Sequence, residues 1–324
     1  MKRLKSLGAI VAATLVLSAC SAGGTSDDKA ASPDIATPIT IHVAETAGVP
    51  SAFLNYGVQQ GFFEKEGLDL VVATGAGGAA AIPGIISGTT EFAGSNIVSV
   101  VLAKSKGLPL QIVAPGTFAA DTTDNAWSAI LVSKDSPIQK PADLAGKTIA
   151  VNTLQNIGDV TIKASLEKLG VDVSGIKFIE LGFPDMLAAL ANGNTDAVWE
   201  IEPFLTSGQA AGDRAVLWPY VQAQPGLMIG SFAASDDYIA KNPKVIEAFQ
   251  QGIKATVESV TKDPDAFRAA LPGLAKIPEA SAKAMHLPTW KTSVDAKSLG
   301  FVEEHMYSYG IITTRVSAPD LIAK

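Results

Sequence analysis

Two polar segments, each following a predicted strand, could bind a small solute. The first is "GAGGAA" (75–80), directly after the apolar run "LDLVVAT". A glycine-rich turn that opens a helix exposes unpaired backbone N–H groups, which suit an anion or a carbonyl oxygen. The same spacing also occurs at dinucleotide sites, and small residues can serve close packing alone. We expect Gly77, Gly78 and Ala79 to contact a polar ligand.

The second segment is "VNTLQNIGDV" (151–160), which places Thr153, Gln155 and Asn156 between a strand and a helix. Polar residues at such a junction can act as helix caps and nothing more. Ligands of open α/β sheets, however, bind at the carboxyl ends of strands. If the two segments belong to two lobes, their hydrogen-bond donors could converge on one cleft.

Other motifs for catalysis or metal binding fail on spacing. His42, His286 and His305 lie far apart and lack the paired spacing of a zinc site. The "GKT" at 146–148 follows Pro141, where a phosphate loop requires glycine. No Gly-x-Ser-x-Gly motif is present. We therefore predict a binding protein, with no catalytic residue, no metal and no cofactor.

Alternating strands and helices must position these segments. A β-branched run, "ITIHVAE" (39–45), predicts a strand, and a βαβαβ series continues to "LPLQIVAPG". A second such series starts at "SAILVSK" (128–134), and helical patterns dominate from about residue 231. This order predicts an α/β protein with two lobes and a helical C-terminal segment. The formal net charge of −7 argues against nucleic acid as a partner.

The N-terminus has the pattern of a secretory signal, with Lys2, Arg3 and Lys5 before a short apolar stretch. That stretch is too short to cross a membrane. "LSAC" (17–20) resembles a bacterial lipobox, which implies cleavage before Cys20 and a diacylglycerol on its sulfur. The alternative is a plain signal peptide in which Cys20, the single cysteine, is incidental. We expect a leader over 1–19, a flexible tether over 20–38 and a lipid anchor on the extracytoplasmic face of the cell membrane.

Several stretches together resemble the substrate-binding proteins of ABC importers with the periplasmic-binding type II fold. They are "GFFEKEGLDLVVA", "SPIQKPADLAGKTIAV", "ASLEKLGVD" and "MLAALANGNTDAVWEIEPF". The likeness is to the branch that takes up nitrate, taurine, aliphatic sulfonates and thiamin-precursor pyrimidines. It implies two lobes that close on a ligand through two hinge strands, here near 127–131 and 229–233. Lobe 1 is then 39–128 with 233–324, and lobe 2 is 129–232. The implied partners are a small-molecule ligand, an ABC permease and its ATPase, and the chain is expected to be a monomer.

The resemblance also implies which residues line the pocket. They come from the loops after successive strands of both lobes: Thr46, Ala47, Gly77, Gly78, Ala79, Ser95, Asn96, Thr117, Thr153, Gln155, Asn156, Trp199 and Glu200.

The ligand is left open by these residues. The arginines beyond the leader, Arg214, Arg268 and Arg315, fall outside the pocket segments, so no guanidinium clamp is expected. We expect a small polar, anionic organic solute, such as a sulfonate, a nitrate- or taurine-like solute or an aromatic acid. Glu200 favours an alternative, a pyrimidine or other amine-bearing vitamin precursor, and a THI5-like enzyme of the same fold is a third reading. Trp199 could stack on the ligand or pack in the core.

Overall fold

Two five-stranded β-sheets form the framework of the protein. The structure is a computed structural model and describes residues 35, 37–75 and 77–324. The predicted leader, the lipid attachment at Cys20 and nearly all of the tether lie outside the described residues. Regular structure among the described residues begins at Ile39, where "ITIHVAE" predicts it. The α/β class that the alternating pattern predicts is confirmed.

The first sheet is built mainly from the N-terminal part of the chain and gains one strand from much later. Its strands are β1 (Ile39–Thr46), β2 (Leu68–Gly75), β3 (Phe92–Asn96), β4 (Leu110–Pro115) and β11 (Gly230–Ser235). The strand order is β2-β1-β3-β11-β4. β1 runs parallel to β2 and β3, whereas β11 runs antiparallel to β3 and β4.

The second sheet is formed by the middle of the chain. Its strands are β6 (Ser128–Val132), β7 (Thr148–Val151), β8 (Lys177–Glu180), β9 (Ala197–Ile201) and β10 (Arg214–Leu217). They lie in the order β10-β6-β9-β7-β8. β7 is parallel to β8 and β9, and β6 is antiparallel to β9 and β10.

Helices follow most strands and cover the sheets. Among the described residues they are α1 (Val49–Gln59), α2 (Gly78–Ser87), α3 (Ile97–Ser105), α4 (Ile157–Lys168), α5 (Phe183–Ala191), α6 (Phe204–Ala210), α7 (Pro219–Ala223), α8 (Asp236–Lys241), α9 (Pro243–Lys262), α10 (Pro264–Ala275), α11 (Glu279–Ala284), α12 (Ala296–Ser308) and α13 (Ala318–Leu321). In the described part of the chain, none of these helices is both long and apolar enough to cross a membrane.

The C-terminal helices pack on the sheets. α9 and α10 share a hydrophobic core with α1 and the first sheet, through residues such as Phe249 and Phe267. α12 contributes Leu299 and Met306 to a second core, which contains strands of both sheets. The helical C-terminal segment therefore shares the hydrophobic cores of the sheets.

Two crossing segments connect the sheets. The first crossing segment (116–127) follows β4, and the second crossing segment (218–229) precedes β11. They run side by side, and a short strand in the first, β5 (Thr117–Phe118), also pairs with β12 (Thr289–Trp290) from the C-terminal part. The lobe boundaries that we infer from the resemblance stay a prediction. Backbone hydrogen bonds hold the junction together: Gly116 N–H to Gly230 O (2.9 Å), Ile229 N–H to Thr117 O (2.8 Å), Ala119 N–H to Leu227 O (2.7 Å) and Gly226 N–H to Ala120 O (3.2 Å).

The junction requires glycine at two positions. A Cβ on Gly116 would lie 2.7 Å from the carbonyl carbon of Gly230, and a Cβ on Gly230 would lie 2.8 Å from Thr117 Oγ1. Such distances are below van der Waals contact, so even a methyl group must push the segments apart. The close approach at this junction therefore depends on the lack of a side chain at Gly116 and Gly230.

We predict that Gly116→Ala lowers the free energy of unfolding by about 1–3 kcal/mol, because the added methyl group collides with backbone. Urea denaturation measures this change. Gly300→Ala is the matched control, since Gly300 lies in α12 with open space around its Cβ position. There the substitution should stabilise by up to about 1 kcal/mol through helix propensity. Equal effects of the two substitutions would contradict the packing argument.

Candidate ligand-binding site

A cavity lies where the carboxyl ends of strands from both sheets meet. The centre of a water molecule can occupy about 70 Å³ of it, several times the ~10–15 Å³ that a single ordered water needs. It therefore suits a small solute. Its walls come from both sheets and from the crossing segments: Glu45, Thr46, Pro50, Phe53, Gly77, Gly78, Ser95, Asn96, Gly116, Thr117, Trp127, Asn152, Ile157, Phe183, Trp199, Ile201, Tyr220, Ile229, Gly230, Ser231, Phe232 and Trp290.

The structure brings about half of the sequence-predicted site residues to this cavity. Those that line it are Thr46, Gly77, Gly78, Ser95, Asn96, Thr117 and Trp199. Those that lie elsewhere are Ala47, Ala79, Thr153, Gln155, Asn156 and Glu200. Contact of the first group with a ligand stays a prediction.

The glycine-rich turn places the start of α2 against strand β3. A Cβ on Gly78 would lie 2.5 Å from Ser95 Cα, and a Cβ on Gly77 would lie 3.0 Å from Asn152 Nδ2. Gly77 precedes α2 without any side-chain cap. The small residues thus serve close packing and also leave backbone N–H groups of the first turn beside the cavity.

The second predicted segment contributes to the site mainly through Asn152. β7 ends at Val151, and the next residue, Asn152, lines the cavity with an Oδ1 atom that is buried and has no hydrogen-bond partner among the described residues. Gln155 is exposed in a left-handed turn (φ 53°), and its N–H donates to Asp159 Oδ2. Gln155 therefore faces solvent, and Thr153 and Asn156 are also not among the residues that line the cavity.

Asn156 links the two halves of the protein. Its Oδ1 caps α4 by accepting from the N–H of Ile157, and its Nδ2 donates to Ser99 Oγ in α3 at 3.0 Å. Both side chains are buried. The hydrogen bond between Asn156 and Ser99 therefore joins α3, which follows a strand of the first sheet, to the start of α4, which follows a strand of the second sheet.

Glu45 is a cavity residue that sequence reasoning missed. It lies next to the end of β1, is 8% exposed, and its Oε1 accepts from the N–H of Thr46 at 2.6 Å. The carboxyl group lies over Gly94, where a Cβ would come within 1.9 Å of Oε2. Burial raises the pKa of Glu45 to about 7, although the Thr46 hydrogen bond lowers it. The alternation of β1 points this residue inward, and that was the available signal.

Glu200 is buried on the other face of its strand. It alternates along β9 with Trp199 and Ile201, which line the cavity, so its side chain points to the opposite face of the sheet. Both carboxyl oxygens lack partners among the described residues, and burial raises the pKa to about 9. Glu200 is therefore neutral at pH 7, and Glu45 is the carboxyl group in the cavity.

Aromatic rings form much of the cavity wall. Trp199 is 1% exposed, packs on Gly158 in α4 and donates its indole N–H to Ser128 Oγ at 2.8 Å. It serves the core and the cavity at once. Phe53 and Trp290 stack with ring centroids 5.1 Å apart. Flat apolar faces of this kind suit a ring or another planar group in the ligand.

The cavity holds no basic side chain among the described residues that line it. Three arginines lie in the described part of the chain, and each makes hydrogen bonds outside the cavity. Arg214 donates to backbone carbonyl groups of residues 134–138, Arg268 to the carbonyls of Ala282 and Met285, and Arg315 to Glu303 and Glu304. Within the described residues, no three His, Cys, Asp or Glu side chains group as metal ligands would.

Two sheets, covered by helices and joined by paired crossing segments, share one cavity at their strand ends, which is a two-part α/β arrangement. Solved structures have the same fold. The aliphatic sulphonate binding protein SsuA of Escherichia coli superposes with a TM-score of 0.71 at 18% identity, over 88% of this chain and 98% of that one. SsuA of Xanthomonas axonopodis pv. citri, solved with MOPS, gives 0.74 at 17% identity, over 89% and 99%. The periplasmic-binding-protein fold is confirmed.

The chain belongs to the NMT1/THI5-like family, whose sequence model matches residues 51–267. The formylaminopyrimidine-binding protein of Halalkalibacterium halodurans is 22% identical over 268 residues, which are 82% of this chain and 77% of that protein. The 4-amino-5-hydroxymethyl-2-methylpyrimidine phosphate synthase of Schizosaccharomyces pombe is also 22% identical, over 63% of this chain and 60% of the synthase.

The buried carboxyl of Glu45 predicts a pH-dependent stability. Its folded-state pKa of about 7 lies above the ordinary glutamate pKa of 4.5, so the folded state binds the extra proton between these pH values. Stability is then lost as the pH rises through about 7. We predict that Glu45→Gln stabilises the protein at pH 8 by up to about 3 kcal/mol and has little effect at pH 5.

Urea denaturation of both proteins at the two pH values tests this prediction. Glu64→Gln is the control for loss of a carboxyl charge, because Glu64 is exposed. If Glu45→Gln and Glu64→Gln change stability equally at pH 8, the burial of Glu45 does not matter.

Proposed function

We propose that the protein is the extracytoplasmic solute-binding component of an ABC importer and captures a small polar solute by hinge closure. One observation carries this proposal: a single cavity is lined by residues of both sheets, at the carboxyl ends of their strands. The fold of the sulfonate-binding proteins and the likeness to a formylaminopyrimidine-binding protein support it.

Two hydrogen bonds outside the cavity lining join parts of the chain that would move apart in hinge opening. Besides the Asn156–Ser99 hydrogen bond, Glu202 Oε1 accepts from the backbone N–H of His286 at 3.1 Å. A ligand that touches both halves binds the closed state better and so shifts the equilibrium toward it. A shift from 1:99 to 99:1 needs about 5.5 kcal/mol of preference. A few hydrogen bonds to charged groups, at about 1.5–3 kcal/mol each, supply it.

An acceptor-rich solute fits one part of the cavity. Backbone N–H groups at the start of α2, with the hydroxyl groups of Thr46, Ser95 and Thr117, would hold oxygen atoms of a sulfonate, a nitrate, a taurine-like solute or an aromatic acid. Such a solute needs no arginine if these donors act together, and this is the ligand class that the sequence analysis expects.

An amine-bearing pyrimidine is a second candidate, and Glu45 favours it. A buried carboxyl group with no basic neighbour among the lining residues would gain most from N–H donors of a ligand. The aromatic walls suit the flat ring. Such a ligand would direct its amino group to Glu45 and its acceptor atoms to the α2 N-terminus.

We propose no catalytic step for this cavity. The yeast relative is a synthase, but among the described residues that line the cavity none is His, Cys or Lys. Glu45 is the one carboxyl group among these residues, so no second carboxyl group, His, Cys or Lys lies beside it as a partner for acid–base or nucleophilic catalysis. Conversion of a bound pyrimidine to a new product would contradict this part of the proposal.

A thermal-shift screen tests the ligand class. The panel contains taurine, methanesulfonate, nitrate, benzoate and formylaminopyrimidine, and the binding compound is then titrated by calorimetry at pH 6 and pH 8. Anion affinity should fall several-fold toward pH 8, because ionised Glu45 repels it. Pyrimidine affinity should be maintained or rise, because ionised Glu45 accepts its N–H groups.

Two substitutions of cavity residues distinguish the ligand classes further. Gly78→Ala should weaken either ligand at least tenfold, because its methyl group displaces α2 from Ser95. Glu45→Gln should weaken only the pyrimidine. Gly300→Ala is the control and should bind as the wild type does. Failure of every compound to raise the melting temperature would refute both ligand classes.

We also propose that Cys20 carries a lipid that holds the protein at the membrane, next to a permease and its ATPase. The lipobox-like "LSAC" sequence supports this. In cells, we expect Cys20→Ala to abolish incorporation of labelled palmitate and to release the protein from the membrane fraction. A variant that stays membrane-bound and labelled would refute the anchor.

A further inference from the structure

Trp290 reaches the cavity from a part of the chain outside the family match, which covers residues 51–267. It lies on β12, whose pairing with β5 aligns Trp290 with Thr117. β5 belongs to the first crossing segment, so this pairing places the tryptophan beside the cavity at the point where the two sheets are joined.

The indole N–H of Trp290 differs from those of the other tryptophans that line the cavity. Trp127 donates to the carbonyl oxygen of Phe118 at 2.9 Å, and Trp199 donates to Ser128 Oγ at 2.8 Å. Trp290 is 7% exposed, and its Nε1 is buried with no acceptor among the described residues. Buried N–H groups in native proteins nearly always have a partner, and none of the described residues supplies one for Trp290.

Packing holds the Trp290 ring in place. Phe53 stacks on one face with an interplanar angle of 10°, and Phe267 meets the ring edge-on at a centroid distance of 5.4 Å. A ring fixed in this way cannot turn toward another acceptor. The N–H is therefore set in direction before any ligand arrives, which favours a specific hydrogen bond over a merely apolar contact.

We propose that Trp290 determines ligand specificity, by donating its indole N–H to an acceptor atom of the bound solute. The inference rests on the proposed function and adds a required feature of the ligand, a carbonyl oxygen, ring nitrogen or sulfonyl oxygen at this position. A solute without that atom leaves the N–H buried and unpaired, so the site rejects it.

Trp290→Phe tests the inference, since it keeps an aromatic ring and removes the donor. Calorimetry measures the dissociation constant for formylaminopyrimidine or for taurine, depending on which of the two the wild type binds. The dissociation constant should rise about 3- to 10-fold, the range for one neutral hydrogen bond. Trp218→Phe is the control and should bind normally, because it removes an indole outside the cavity lining. Equal affinity of Trp290→Phe and wild type would overturn the inference and leave the proposed function standing.

A second measurement needs no ligand. Trp290→Phe, Trp127→Phe and Trp199→Phe remove the same volume, but only the last two break a protein hydrogen bond. The urea midpoint should fall for those two and change less for Trp290→Phe. A fall as large as that of Trp199→Phe would show a protein partner for the N–H and would overturn the inference, even if no compound of the panel binds. Absence of binding by the wild type would instead refute the proposed ligand classes.

Discussion

The backbone pairing of the two crossing segments is the constraint on which the rest of the structure depends. At Gly116, and at Gly230 directly after the second crossing segment, the two parts of the chain approach so closely that a methyl group has no room. This pairing sets the strand ends of one sheet opposite those of the other. It also provides the edge on which β12 pairs, and it thereby brings Trp290 to the same place. The cavity exists because two sheets are joined at this one edge.

The unpaired polar atoms around the cavity define what it can accept. Asn152 Oδ1 and the Trp290 N–H lack partners among the described residues, and Glu45 is buried over Gly94. The cavity thus offers an acceptor, a donor and a carboxyl group among aromatic rings. These groups would pair best with a solute that has complementary donors and acceptors. No basic side chain lies among the described residues that line the cavity, so recognition depends on hydrogen-bond direction more than on net charge.

The fold could be predicted from local patterns, whereas the cavity could be predicted only in part. Asn96 and Asn156 stand directly before α3 and α4, and the side chains of both cap these helices. Residues at the carboxyl ends of β1 and β3, or at the start of α2, could be placed by the rule that ligands bind at strand ends. The others depend on long-range geometry. Glu45 reads as an ordinary strand residue until Gly94 is seen beneath it, and Trp290 has no local pattern that links it to Thr117. Asn156 was expected to face the cleft, but the turn after β7 commits it to a cap and to Ser99.

The central claim is that one solute is enclosed between the two sheets. A crystal structure of the protein with the compound that most raises its melting temperature tests this most directly. The account predicts the compound within 3.5 Å of polar atoms from both sheets, with Glu45 or the α2 N-terminus on one side and Asn152 on the other. A compound bound to one sheet alone, or outside this cavity, would contradict it.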